Sequence, residues 1–101
     1  MSARESVELR GRLASATSRR AAAERTERHL FAAFEAGLDD GVPDAVRAHL
    51  EQQWLWSQAV LDAARDDERA AENAYVRALV VEHEDRHRDA LHGRAPLGAV
   101  A

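Results

Sequence analysis

The chain has no cysteine, which excludes disulfides and thiolate-bound metal. It also has no lysine and no isoleucine, and its 14 basic residues are all arginine. Arginine and alanine have GC-rich codons, so we read this bias as genomic rather than functional. Aromatic residues are scarce: two Trp, one Tyr and two Phe. The hydrophobic content of 46% overstates the core, because 22 positions are alanine, which favours helix but buries little area. No apolar run follows Ser2-Ala3-Arg4-Glu5, so neither a signal peptide nor a membrane anchor is expected, and the chain reads as cytoplasmic. No strand is expected anywhere, and with it no glycine-rich phosphate loop or dinucleotide fingerprint.

What is present is helical periodicity. Ser2 followed by Glu5 forms a capping box, placing a helix start at Ala3. Leu9, Leu13, Ala16, Ala23, Leu30 and Phe34 then recur at three- and four-residue steps, with Arg20 and Glu27 interrupting the stripe. Gly37 suits a left-handed C-cap with Leu38 as its apolar contact. Residues 37–43 form the strong internal turn signal, and Pro43 fits the first position of a second helix. Neither glycine nor proline occurs from Asp44 to His92. We therefore expect one all-α domain over 1–93: a helix at 3–36, a turn at 37–43, a helix at 44–92, and a loose tail at 94–101. The alternative is a three-helix bundle with a bend in the polar run 65–69.

A hairpin centred near residue 40 sets Phe34 by Val46, Leu30 by Leu50, Ala23 by Ser57 and Leu9 by Ala71. The first helix then ends near residue 77 of the second, leaving Leu79, Val80, Val81 and Leu91 without an intrachain neighbour. Charge is divided between the helices. Residues 1–30 balance at +3 and residues 31–75 at −7, within a net charge of −4. Antiparallel helices of this kind are complementary, whereas interleaved glutamates and the acidic total argue against nucleic acid. Leu50, Trp54, Leu61, Ala64 and Tyr75 share one face of the second helix. From Val76 the apolar positions turn to Val80, His83, His87 and Leu91, as if toward a different neighbour. Trp54 fits the hairpin seam. Trp56 points away from it and forms a patch with Val60, a candidate interface anchor.

His83-Glu84-Asp85-Arg86-His87 matches the HExxH pattern of zinc hydrolases, in which two histidines share a helix face and the glutamate acts as base. The central positions are charged, and no third ligand stands at a familiar spacing. Glu84 and His87 also match the Glu-x-x-His element of ferritin-like iron bundles, which needs further carboxylates such as Glu35 or Glu51. Histidines in the last turns also suit a helix C-terminus electrostatically. The length and hairpin form resemble the small Trp-x-Gly effector dimers, but Trp54-Leu55-Trp56 lacks the glycine and Tyr75 lacks an acidic residue four positions on. General helical-hairpin character also resembles the stalk proteins of export machines. Neither family is assigned.

The expectation is a non-catalytic helical hairpin without a cofactor, acting through a second copy of itself or another protein. Its candidate interface residues are Trp54, Trp56, Val60, Leu79, Val80 and Leu91. The rival is a zinc- or iron-binding bundle using His83, Glu84 and His87.

Overall fold

A computed structural model of the chain describes residues 3–100, with side chains to residue 92. Two helices dominate it: α1, Ala3–Ala36, and α2, Asp44–Val100. They pack against each other antiparallel in a rod of 88 × 15 × 13 Å. At a rise of ~1.5 Å per residue, the 57 residues of α2 account for the whole length of the rod. The protein is an all-α helical hairpin.

The polar run 65–69 does not break α2, so no three-helix bundle forms. Nothing there opposes helix, and short-range pairs brace it: Asp62 with Arg65 at 4.0 Å and Asp66 with Arg69 at 3.5 Å. The expected tail is also corrected, since α2 continues past Gly93 and Pro96 to Val100. A long helix already formed supplies the nucleus, so each further residue needs only propagation. Ser2 of the expected capping box, and Ala101, lie outside the described residues.

The turn differs from expectation in two ways. Gly37 has no positive φ, so it is not a left-handed cap. Its amide still donates to the Ala33 carbonyl at 3.0 Å, and the amide of Leu38 donates to Glu35 at 3.1 Å in a tighter last turn. Leu38 is exposed rather than packed under the cap. Glycine serves here through close approach: a Cβ at this position would stand 2.6 Å from Leu50 Cδ1. Pro43 sits one residue earlier than expected. Its carbonyl accepts from the amides of Val46 and Arg47, both at 3.1 Å, which makes it the N-cap of α2.

The register is corrected as well. Phe34 stacks on Trp54 rather than facing Val46, Arg20 meets Glu68, and Gly37 abuts Leu50. These pairs centre the hairpin near Pro43 instead of residue 40. The reason lies in the loop, where Val42 bonds back to Asp39 and Arg47 reaches the Asp39 carbonyl. The loop folds over the start of α2, which displaces the pairing centre toward it. At the far end Ala78 is fully buried and Glu82 largely covered, so α2 leaves α1 near residue 83, not 78.

Candidate functional site

The least exposed positions recur at alternating three- and four-residue steps along both helices, from Ser6 to Gly37 and from Arg47 to Asp85. That spacing keeps one stripe of each helix facing the other. The seam is thin. Its buried apolar members among the described residues are Ala16, Ala23, Leu61 and Ala78, and the buried serines Ser6 and Ser57 bond back to the carbonyls of Ala3 and Trp54.

Large seam residues gather near the turn. The Trp54 ring lies 5.1 Å from Phe31, tilted by 45°, and 5.2 Å from Phe34, stacked at 11°. Its indole Nε1 donates to Glu27 Oε1 at 3.0 Å. These contacts place Trp54 in the hairpin seam. Glu27, which interrupts the sequence stripe, is the group that satisfies the indole.

One flank of the hairpin is charged. Arg20, the other interruption, donates from Nε to Glu68 at 3.1 and 3.3 Å and from Nη1 to Glu24 at 3.0 Å. Arg65 approaches Glu24 at 3.8 Å. The Arg20 hydrogen bond, aided by Thr17, holds the Glu68 carboxyl below its ordinary range, against the opposing effect of desolvation. In turn Glu68 raises the guanidinium of Arg20.

The opposite flank is small and apolar. Arg19, Ala22, Ala23 and Thr26 of α1 face Trp56, Ser57, Val60, Ala63, Ala64 and Asp67 of α2 across an open groove of about 510 Å³. Trp56 is 63% exposed and Val60 39%. Sequence reasoning found these two and placed Ala23 and Ala64 on the seam, but missed Ala22 and Ala63. The available signal was Ala22 beside the α1 seam and Ala63 and Ala70 at heptad intervals from Trp56.

Leu79, Val80 and Val81 are exposed because they lie off the seam while its other face is still covered, and Leu91 is exposed beyond α1. His83, Glu84 and His87 are exposed on this same end of α2. Among the described residues no three His, Asp or Glu side chains converge on a metal position. Glu35 and Glu51 do not approach Glu84: from Glu51 alone, 33 residues of continuous helix amount to ~50 Å. His29 and His49 are solvent-exposed. Among the described residues no helix is long and apolar enough to cross a membrane. No protein-family model, no curated protein and no solved structure matches the chain.

Proposed function

We propose that this protein is a non-catalytic helical hairpin, paired as an antiparallel coiled coil, that works through protein–protein contact as an adaptor, chaperone or small structural subunit. One observation carries the reading: α2 exposes Val46, Leu55, Trp56, Val60, Val76, Leu79, Val80, Val81 and Leu91, more large apolar side chains than the seam buries. Scattered exposed apolar residues are ordinary, but Trp56 with Val60, and Val76 with Leu79 and Val80, are grouped at three- and four-residue spacing. The groove at Trp56 and the free end carrying Leu91 are separate surfaces, so two contacts are available to one molecule. The reading also accounts for the thin seam, since a small chain with few large buried residues gains stability by docking.

The metal-binding alternative rests on His83, Glu84 and His87 alone, with zinc or iron as the ion. Tagged protein captured from its native host, with metal content and molar mass measured in parallel, tests both. A specific, stoichiometric protein partner or self-association supports contact as the function. Tightly held metal at one equivalent, with a chemical activity lost in Glu84→Gln, would replace it.

A further inference from the structure

The accessible surface of the chain is 7483 Å². A compact monomer of 11.2 kDa exposes about 5,700 Å² by the usual mass scaling. The difference follows from the elongated 88 × 15 × 13 Å shape, and a further helix laid along a flank would cover part of it. A standard interface covers about 800 Å² per partner, so the excess leaves room for one without intruding on the seam.

We propose that the Trp56 groove is occupied by α2 of a second copy, running antiparallel about a two-fold axis at Ala63. This rests on protein–protein contact as the mode of action and names the partner for one of its two surfaces. The charged flank is already closed by Arg20, Glu24, Arg65 and Glu68 bonding among themselves. The groove flank has no such network, and its bulk is distributed so that it complements itself. Trp56 stands seven residues before Ala63 and Ala70 stands seven after, which places them on one face of α2 at equal distances from the axis. Antiparallel pairing therefore lays the Trp56 ring of each copy over Ala70 of the other, a large side chain against a small one, twice.

Parallel pairing fails on the same residues. It sets Trp56 against Trp56 and leaves alanine facing alanine across a gap, and it opposes Asp67 to Asp67. In the antiparallel arrangement Asp67 comes level with Ala59 of the other copy instead of a second Asp67, and Arg19 of its own chain lines the same groove. Such a contact is isologous, so it closes at two copies and does not propagate into a filament.

The absence of cysteine makes the test clean, because an introduced thiol is the only one in the chain. Sedimentation equilibrium at tens of micromolar is expected to give twice the 11.2 kDa chain mass. Under mild oxidation Ala63→Cys should form a disulfide-linked dimer, since two-fold related α-carbons at a close helix crossing fall within bridging distance, about 4.4–6.8 Å. Leu55→Cys, on the other flank, and Val80→Cys, near the free end, should not. Trp56→Arg should shift the mass to the monomer with helicity retained. A monomer at 100 μM overturns the proposal, as does a dimer that cross-links through Val80→Cys and not through Ala63→Cys. The monomer result leaves contact with a different protein standing, because host capture decides that separately.

Discussion

Arg20 of α1 and Glu68 of α2 meet across the seam, with the guanidinium Nε 3.1 Å from one carboxylate oxygen and 3.3 Å from the other. A charged pair within a heptad stripe favours one alignment of the two helices, because sliding either helix takes Glu68 away from Arg20 and leaves Arg20 only its own-helix partner Glu24. The carboxyl of Glu68 is held below its ordinary range in the folded chain. Its contribution to stability is therefore complete above the unfolded carboxylate value, near pH 4.3, and is lost as pH falls through the folded value. Arg20 stays charged throughout. Thermal melts at pH 7 and pH 3 should show a smaller acid-induced drop in Tm for Glu68→Gln than for the unmodified chain, even though the variant is less stable at pH 7. Equal drops would show that Glu68 is not held by Arg20 in solution.

The two tryptophans should report different surroundings. Trp54 is covered by Phe31, Phe34 and the Glu27 carboxylate, whereas Trp56 is 63% exposed. With Trp56→Phe, the remaining emission should be blue-shifted and independent of protein concentration. With Trp54→Phe, it should be red-shifted and accessible to acrylamide at low concentration, moving to the blue as copies pair. Trp54→Ala should cost about 2–3 kcal/mol, below the ~3–5 of a fully buried aromatic, because the ring keeps one edge in water.

Gly37 tests the difference between backbone freedom and space. Its φ is not positive, so alanine carries no left-handed penalty there and, by restricting the unfolded chain, gains about 0.4–1 kcal/mol. Against this stands the Leu50 methyl, 2.6 Å from the added Cβ. Overpacking typically costs ~1–3 kcal/mol, so Gly37→Ala should destabilise the hairpin by about 1 kcal/mol net in urea unfolding. In a Leu50→Ala background the same change should be neutral or stabilising. A cost that persists there would locate the strain in the backbone.

For the histidine segment, Glu84→Gln should leave helicity and molar mass unchanged, and any biological activity within about twofold. A general base contributes ~100-fold or more. After incubation with excess zinc and desalting, metal content should fall well below one equivalent, since His83 and His87 offer two ligands where a stable site takes three or four.

Much of the hairpin was legible from spacing. The stripe from Leu9 to Phe34 and the face shared by Leu50, Trp54, Leu61, Ala64 and Tyr75 are the seam that forms, because burial has to recur at the helical period. Arg20 and Glu27 looked like defects in that stripe. A single strand of sequence shows only that a polar residue stands there, not that Glu68 and Trp54 on the other helix meet it. The register was displaced for a similar reason, because the path of residues 38–42 depends on bonds such as Arg47 to the Asp39 carbonyl. Gly37 was recognised as necessary but for the wrong cause, since close approach to Leu50 is invisible until the partner helix is in place. For the site, Trp56 and Val60 stood out by size, while Ala23 was read only as a seam residue and Ala22 across the groove did not stand out.

The uneven seam also implies an order of events in folding. Leu30, Phe31, Phe34, Leu50 and Trp54 crowd within a few turns of the loop, while the far end intersperses Leu9, Leu13 and Tyr75 with Ser6, Ala16 and Ala78 and has no aromatic cluster among the described residues. Joining the near segments requires only a short loop to close, and it yields the largest apolar contacts first. The hairpin should therefore zip outward from Pro43 and fray inward from its free ends. Native-state hydrogen exchange would register this as a gradient, with amides beside Trp54 opening only on global unfolding and those beside Ser6 and Ala78 opening by local separation of the helix ends. The end of α2 that carries Leu91 is thus attached to the least persistent part of the seam, free to lengthen or shorten its unpaired reach without disturbing the aromatic cluster at the other end.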